Sequence, residues 1–291
     1  MSKAFNVTII QPTGYIHSMA LHEAAEYIRS SLLSLGYKTG LSTNRIEDGV
    51  VNIVFCAHLL KKEEASALPH DAIIFNSEQL DNLEGWYFQT GAYASLLQSH
   101  HVWDYAGTNL LRIPHDRKSF IPFGFCSDLV RKDIRRRPGA SLLFYGSLTP
   151  RRESIIERVI AAGVPVNVLM GKYGFERDVK LFKAWAVLNL HNAKDTRAFE
   201  QIRCFYPLIN RVPVISEQNS DDSSCDHFRN SVFFFEEQEL VEGCTRLYKD
   251  TVAFANESMV MLDNFARYSA IESLEQAIRF YLDQSERIDR E

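Results

Sequence analysis

Residues 184–217 of this chain read AWAVLNLHNAKDTRAFEQIRCFYPLINRVPVISE, and this stretch decides the fold class. It holds an apolar run at 186–190, a polar loop at 191–197, a helical pattern at about 199–209 and a second apolar run at 212–216. Two apolar runs of strand length joined by an amphipathic helix predict a βαβ unit with parallel strands. We therefore expect an α/β domain built on a parallel sheet.

The polar loop of this unit is a candidate ligand site, because ligands in open α/β sheets bind beyond the carboxyl ends of the strands. His191, Asn192, Thr196 and Arg197 lie in the loop, and Glu200 lies in the first helical turn. Cations and helix N-terminal amides suit a phosphate, and a carboxylate can accept hydrogen bonds from two ribose hydroxyls. The pattern predicts a nucleotide site, with a helix-capping Glu200 as the simpler alternative. In either case we expect Glu200 to face the open edge, so that folding depends on it little.

The segment FEQIRCFYPLINRVPVISE at 199–217 resembles the donor-nucleotide segment of GT-B glycosyltransferases, in particular the small bacterial spore-maturation-protein-like group. In that family a helix-starting Glu binds the ribose of the nucleotide-sugar, so the resemblance implies that Phe199 and Glu200 bind the donor. Leu208 stands where many retaining members carry a second Glu, and Asn210–Arg211 replace the usual turn glycine. The resemblance implies two doubly wound Rossmann-like domains that face a cleft, with the C-terminal helix crossing back to the N-terminal domain.

The order of the predicted elements matches this layout. Apolar runs alternate with helical patterns along the chain, one of them a helix from Ser18 to Leu35. The charged stretch 126–139 ends in Pro–Gly and is predicted to be a linker. We predict an N-terminal acceptor-side domain at 1–130, a C-terminal nucleotide-sugar-binding domain at 139–270, and a helix at 271–291 that packs on the N-terminal domain.

Composition excludes several classes of protein. The chain has 291 residues, 46% hydrophobic and 24% charged, with a net charge of −5. It therefore lacks the basic surplus of a general nucleic-acid-binding protein. No apolar run approaches the length of about 20 residues that spans a bilayer, and the N-terminus reads as a strand rather than a signal peptide, so we expect a cytoplasmic protein. The five cysteines form no C-x-x-C pair, which favours reduced thiols over a zinc site or disulfides.

Two further turns are predicted to contact the donor. In FYGSLTPRRE at 144–153, a glycine allows close backbone approach, two hydroxyls are available, and two arginines would neutralise a diphosphate; a capped helix with exposed arginines is the alternative. In MGKYGFERD at 170–178, a small glycine loop would pack against the nucleotide base. A tight turn without a binding role is the alternative. The predicted donor-binding residues are Gly146, Ser147, Thr149, Arg151, Arg152, Gly171, Lys172, Tyr173, His191, Arg197, Phe199 and Glu200.

The first strand–helix turn, QPTGYIHS at 11–18, is predicted to lie on the acceptor side, because GT-B enzymes use this turn to approach the acceptor and the sugar. His17 is the predicted catalytic base, since an unperturbed imidazole pKa near 6.5 suits proton removal from a hydroxyl. A histidine in a first helical turn that contacts backbone or solvent is the alternative. His58 and Asp104, which also follow predicted strands, are the reserve candidates for the base. The other predicted acceptor-side residues are Thr13, Gly14, Tyr15, His58 and Asp104.

The resemblance implies a glycosyltransferase that moves a hexosyl or related group from a nucleotide-sugar to an acceptor hydroxyl. GT-B enzymes generally manage the leaving diphosphate with basic side chains, so we expect no metal ion, and no cofactor besides the donor. The acceptor stays open among a glycan, a protein, a small molecule and a nucleic acid. Fold alone does not set activity, and the alternatives are a non-catalytic nucleotide- or sugar-binding module and a sugar-nucleotide epimerase.

Overall fold

A computed structural model describes residues 3–80, 91–194, 196, 198–218 and 223–288 of the chain. The chain divides into two compact α/β units. The first unit combines Met1–Phe123 with the C-terminal segment Ala270–Glu291, and the second unit is Gly124–Ser269.

The first unit is built on a parallel sheet. Its described strands are β1 (Phe5–Ile9), β2 (Thr39–Thr43), β3 (Val51–Phe55), β4 (Ile73–Asn76), β5 (His101–Asp104) and β6 (Lys118–Phe120). They pair in the order β2-β1-β3-β4-β5-β6, and Phe5 stands opposite both Thr39 and Val51. The strands β1, β3, β4 and β5 are buried along their whole length. Both faces of these strands are therefore covered, as is typical of parallel sheets, and the strands bury polar residues such as Asn6 and Asn52 as well as apolar ones.

The second unit has its own parallel sheet. Its described strands are β7 (Leu142–Tyr145), β8 (Val166–Leu169), β9 (Val187–Asn189), β10 (Val214–Glu217) and β11 (Phe233–Phe235). They pair in the order β11-β10-β9-β7-β8. Its core includes Phe144, Leu188 and Ile215 from the strands and Phe254 from a covering helix.

Helices follow the strands in both units. The described helices are α1 (His22–Ser34), α2 (Lys62–Ser66), α3 (Ala92–Ser99), α4 (Gly107–Leu110), α5 (Pro150–Ala161), α6 (Gly174–Leu181), α7 (Gln201–Ile209), α8 (Leu240–Lys249), α9 (Thr251–Arg267) and α10 (Ile271–Ile288). The βαβ unit predicted at 184–217 is confirmed as β9, α7 and β10. The helix predicted from Ser18 begins later, because Ile16–Leu21 form a tighter 3-10 turn before α1. Gly36, at a φ of +87°, follows α1 in the left-handed conformation common after helices.

The C-terminal helix α10 packs within the first unit, against α1 and β6. The hydroxyl of Tyr281 donates a hydrogen bond to the carbonyl oxygen of Asp71 at 2.6 Å. The ring of His101 lies edge-on to the rings of Phe280 and Tyr281, with centroids 5.7 and 5.3 Å away. Although α10 follows the whole second unit in sequence, its contacts therefore belong to the first.

The stretch 126–139, predicted as a linker, lies along the second unit. Arg131 Nη1 donates to Asp178 Oδ2 at 2.6 Å, and Asp178 is fully buried. The backbone N–H of Arg137 donates to the carbonyl oxygen of Phe182 at 3.0 Å. A charged stretch that pairs with a buried carboxylate is held in place, so the two units meet in sequence at Phe123–Gly124 and not within this stretch.

Candidate functional site

The turn between β7 and α5 places polar groups at the carboxyl edge of the second sheet. Thr149 caps α5, its hydroxyl accepting a hydrogen bond from the backbone N–H of Arg152, and Pro150 occupies the first turn. Gly146 adopts a φ of +135°, and a Cβ at this position would lie 3.3 Å from Arg203 Nη2. A glycine here therefore lets the backbone pass close to an arginine from α7.

Glu200 lies at the N-terminus of α7 between two arginines. Its Oε1 accepts a hydrogen bond from Arg152 Nη2 at 3.1 Å, and its Oε2 accepts one from Arg203 Nη1 at 2.5 Å. Arg152 is 3% exposed and also donates to the carbonyl oxygens of Ser147 and Leu190, each at 2.9 Å. We call Arg152, Glu200 and Arg203 the Glu200 cluster. The Glu200 side chain is only 16% exposed, so it is held by the fold rather than open to solvent as expected.

The Glu200 cluster stays charged near neutral pH. Burial by itself raises the pKa of Glu200, but the positive charges of Arg203 and Arg152 outweigh burial and hold that pKa below its usual range. Burial lowers the pKa of Arg152 to about 10, with the Glu200 carboxylate opposing the change. A carboxylate in this state accepts hydrogen bonds and donates none. The cluster therefore presents a fixed, ionised acceptor at the ligand edge of the sheet.

A second charged cluster lies at the end of β10. Glu217 forms a bidentate pair with Arg151, and Arg151 Nη2 also lies 3.0 Å from Glu237 Oε2. We call Arg151, Glu217 and Glu237 the Glu217 cluster. Glu217 was not among the predicted site residues, although it directly ends an apolar strand run, VISE, where ligand-site residues of parallel sheets occur. The predicted diphosphate ligand Arg151 is therefore already paired within the protein.

His191 lies between the two clusters. Its backbone N–H donates to Glu217 Oε2 at 2.6 Å, and its carbonyl oxygen accepts from Arg151 Nη1 at 3.1 Å. Its ring is 4% exposed, and among the described residues neither ring nitrogen has a hydrogen-bond partner. Burial lowers the pKa of His191, with the carboxylates of Glu200 and Glu217 opposing that change. The imidazole is therefore neutral at physiological pH.

The other predicted donor residues are distributed around this edge. Lys172 is exposed and pairs with Glu176 at 2.9 Å. Gly171 has a φ of +62°, and Tyr173 occupies the N-cap position of α6. Phe199 differs from its predicted role, because its ring is fully buried against Phe228 and Phe234 in the core. Arg197 lies outside the described residues.

The first unit carries a histidine–carboxylate pair at the carboxyl edge of its sheet. His58 Nδ1 lies 3.3 Å from Glu78 Oε1, and the imidazole packs edge-on against the Tyr93 ring. Burial lowers the pKa of His58, while Glu78 acts in the opposite direction. We call His58 and Glu78 the His58 pair. Glu78 was missed in the sequence because no local motif links it to a histidine 20 positions away.

A buried polar network fixes Glu78. Asn76 Nδ2 donates to Asp104 Oδ2 at 2.5 Å and to the carbonyl oxygen of Glu78 at 2.9 Å. Asn109 Nδ2 donates to the same Glu78 carbonyl at 2.9 Å. Asp104, predicted on the acceptor side, is fully buried, and its other oxygen accepts from the backbone N–H of Ala106 at 2.8 Å. In the structure Asp104 therefore supports the network around Glu78, and its acceptor-side role stays a prediction.

His17, the predicted catalytic base, is exposed on the turn that precedes α1. Its ring contacts the ring of Tyr15, with centroids 5.2 Å apart. Thr13 and Gly14 are also exposed, and Gly14 has a φ of +82°. Burial, Cys56 and Glu78 raise the pKa of Tyr15, which links this turn to the His58 pair through electrostatics.

Within the described ranges, no helix combines the length and apolar composition needed to cross a membrane. In the same part of the chain, no group of three or more His, Cys, Asp or Glu side chains is arranged to hold a metal ion.

Sequence comparison finds relatives without a known activity. No protein-family model matches this chain. An uncharacterized protein of Acanthamoeba polyphaga mimivirus is 24% identical over 278 residues, which cover 91% of this chain and 89% of that protein. A longer uncharacterized protein of the same virus is 26% identical over 204 residues, which cover 67% of this chain and 27% of that protein.

Structural comparison finds glycosyltransferases along nearly the whole chain. AviGT4, involved in Avilamycin A biosynthesis, has a TM-score of 0.57 at 12% identity, covering 95% of this chain and 96% of its own. Anabaena HepE, in complex with UDP and glucose, has a TM-score of 0.57 at 11% identity, covering 94% and 98%. T4 phage BGT, in complex with its UDP-glucose substrate, has a TM-score of 0.53 at 9% identity, covering 95% and 98%. The chain has a GT-B glycosyltransferase-like fold with two parallel-sheet, Rossmann-like units.

Proposed function

We propose that this chain is a nucleotide-sugar-dependent glycosyltransferase that transfers a sugar to an acceptor hydroxyl in the cytoplasm. The observation that carries the proposal is Glu200, an ionised carboxylate held by two arginines at the N-terminus of α7. It lies at the carboxyl edge of a parallel sheet, where ligands of open α/β folds bind. Structures of similar fold that contain UDP or UDP-glucose support a nucleotide-sugar as the ligand.

Glu200 has acceptor capacity left for a ribose. A carboxylate offers about four lone-pair directions, and Arg152 and Arg203 each use one. The remaining directions suit the two hydroxyls of a ribose. Helix capping, the simpler alternative, is disfavoured, because among the described residues the Glu200 side chain makes no capping hydrogen bond at the start of α7.

The diphosphate is assigned to groups at the rim of the site. Arg151 and Arg152 serve to hold the two charged clusters, since their guanidinium groups are paired internally. Lys172 is exposed, and its surface pair with Glu176 contributes little stability, so a phosphate can replace that partner. The turn from Gly146 to Thr149 offers hydroxyls nearby in the fold.

In the proposed reaction the acceptor oxygen attacks the anomeric carbon, and the bond from that carbon to the phosphate oxygen breaks. The nucleoside diphosphate leaves with the electron pair, and the proton of the acceptor passes to a basic side chain. Of the predicted candidates, His58 fits this task better than His17, because it lies beside the Glu78 carboxylate and burial keeps it neutral. Basic side chains and amides rather than a metal ion stabilise the departing charge.

Titration calorimetry and a UDP-release assay test the proposal, using UDP and UDP-glucose as probes. We expect the parent protein to bind both, and to release UDP from UDP-glucose, with water or an added glycan, protein, small molecule or nucleic acid as acceptor. His58→Gln should slow release by about 10²-fold or more at unchanged UDP affinity, whereas His17→Gln should leave both unchanged.

Other outcomes separate the alternatives. Binding without release supports a non-catalytic binding module. Conversion of the sugar of UDP-glucose without release supports an epimerase. Thermal-shift screening of a panel of other nucleotide-sugars tests whether the donor carries a different base. If no nucleotide of the panel binds, the proposed function is wrong.

A further inference from the structure

A buried histidine of the second unit has ring nitrogens to which no described residue bonds. His191 follows β9, and both the N–H and the C=O of its backbone are fixed by the Glu217 cluster. Its ring is buried beside Glu200 and Glu217, yet among the described residues Nδ1 and Nε2 have no hydrogen-bond partner. The backbone of His191 is thus firmly placed, while no described residue satisfies its imidazole.

An unsatisfied imidazole in this position calls for an explanation. A neutral imidazole has one N–H donor and one acceptor nitrogen. Buried polar atoms are nearly always paired, because leaving them without a partner is unfavourable. A histidine with only a packing role would normally bond to a nearby carbonyl or carboxylate, as His115 does with the carbonyl oxygen of Leu97 at 2.9 Å. His100 and His115 each bond through one ring nitrogen, whereas no described residue bonds to either ring nitrogen of His191, so its imidazole is available to pair with a ligand.

The charges around the ring favour a hydroxyl over a phosphate. The described Glu200 and Glu217 clusters together hold three arginines and three carboxylates, so their charges balance. A phosphate beside His191 would lie near the carboxylates of Glu200 and Glu217, and like charges disfavour that arrangement. A neutral hydroxyl both donates and accepts, so it can bond to the imidazole without this repulsion. Cations suited to phosphate lie exposed at Lys172 and Lys194.

We propose that His191 is a specificity-determining residue that hydrogen-bonds a hydroxyl of the donor sugar. The proposal rests on the proposed function and specifies that this buried side chain recognises the sugar of the donor. The ring is covered in this structure, so binding of the sugar includes a local rearrangement that uncovers it. A site that bonds a substrate hydroxyl discriminates strongly against ligands that lack it, because its own polar atoms are then left unpaired.

The test compares UDP-glucose, which carries the sugar, with UDP, which lacks it. Titration calorimetry on His191→Phe, which keeps a flat ring without nitrogens, should show UDP-glucose affinity reduced about tenfold, the effect of one lost hydrogen bond. UDP affinity should stay within about twofold of the parent. His191→Gln, which keeps a donor and an acceptor, should fall between the parent and His191→Phe for UDP-glucose. Circular dichroism checks that each variant is folded.

A matched control is available in the first unit. His100 is also buried, and its Nε2 is also without a hydrogen-bond partner among the described residues. His100→Phe should leave the affinities for UDP and UDP-glucose unchanged. This result would show that the loss of UDP-glucose affinity in His191→Phe belongs to the site and not to buried histidines in general.

The outcomes separate this proposal from the proposed function. If the parent binds both probes and His191→Phe weakens both equally, or neither, the sugar assignment is wrong while nucleotide binding stands. If His191→Phe does not fold, the same comparison is made with His191→Gln, and an unchanged ratio of the two affinities overturns the assignment. If the parent binds no nucleotide of the panel, both proposals fall.

Discussion

Among single residues, Glu200 has both a structural place, between two arginines, and the binding role that we propose for it. Glu200 keeps its charge because two arginines surround it, and Arg152 in turn is buried with its hydrogen-bond capacity directed to Glu200, Ser147 and Leu190. Forming such a buried pair contributes little net stability, since desolvation of both charges opposes their attraction. Removing one partner is different, because it leaves the other charge buried and uncompensated.

Glu200→Ala is therefore predicted to affect folding as well as binding. The loss of the carboxylate leaves Arg152 and Arg203 without their shared partner, which costs about 3–5 kcal/mol for a buried pair. The affinity for UDP should fall about tenfold or more, because charge-assisted hydrogen bonds to the ribose are lost. Thermal unfolding and titration calorimetry measure the two effects.

Glu200→Gln is the matched control, since it keeps the shape and one acceptor oxygen. It should lie between the parent and Glu200→Ala in both measurements. A Glu200→Ala protein that unfolds at the parent temperature would contradict the structural part of this prediction. Unchanged UDP affinity would contradict the ribose assignment.

At the scale of elements, the packing of α8 on β11 depends on one glycine. Gly243 lies inside α8, where glycine is normally less favourable than alanine by about 1 kcal/mol. A Cβ at this position would lie 2.5 Å from Cε1 of Phe235, a residue of β11. Glycine is thus required by the close approach of the strand's aromatic ring, and not by the backbone of the helix.

Gly243→Ala is predicted to destabilise the second unit by about 1–3 kcal/mol, the usual cost of overpacking, despite the better helix propensity of alanine. Urea unfolding of the single variant measures the loss. The double variant Gly243→Ala with Phe235→Ala removes the ring, so the alanine at 243 should cost less there than in the parent background. A single variant at least as stable as the parent would show that α8 shifts freely.

At the scale of the whole molecule, the first unit gathers histidines at one edge of its sheet. His100 directly precedes β5, His101 is the first residue of β5, and His115 lies shortly before β6. Burial lowers the pKa of all three, to about 4 for His101. The positive charge of Arg117 acts in the same direction on each. These side chains are neutral in the folded protein under conditions where they would be protonated in the unfolded chain.

We therefore predict that the first unit loses stability on acidification. Above an unfolded histidine pKa of about 6.5 the histidines contribute no pH dependence. Below it the unfolded chain binds more protons than the folded one, so stability falls as the pH drops towards the folded pKa values. His101 alone accounts for about 3 kcal/mol between pH 6.5 and 4, since each unit of pKa difference corresponds to about 1.4 kcal/mol.

Hydrogen–deuterium exchange of β5 as a function of pH measures this loss within the first unit. His101→Phe, whose ring can keep the contacts with Phe280 and Tyr281, should make the fall in protection shallower. Equal protection of β5 at pH 7 and pH 4.5, after correction for the intrinsic exchange rate, would rule out the prediction.

The sequence alone determined the kind and order of the elements around the site. The runs at 186–190 and 212–216 and the helix between them were predictable because apolar periodicity is local, and so was the capped start of α5 at Thr149–Pro150. The GT-B layout followed from this order together with the resemblance of residues 199–217. These features depend on neighbours within a few positions, which a sequence displays directly.

The partners of the charged side chains follow from the folded chain and not from local sequence. Arg151 and Glu217 are 66 positions apart, Arg152 and Glu200 are 48 apart, and no local pattern links them. For the same reason Arg151 and Arg152 were predicted as diphosphate ligands but are partners of buried carboxylates, and Phe199 was predicted at the donor but packs in the core. Burial and ion pairing depend on which distant segments the folded sheet brings together. The sequence therefore determined which segments form the candidate site, and the fold determined which of their polar atoms are already paired within the protein.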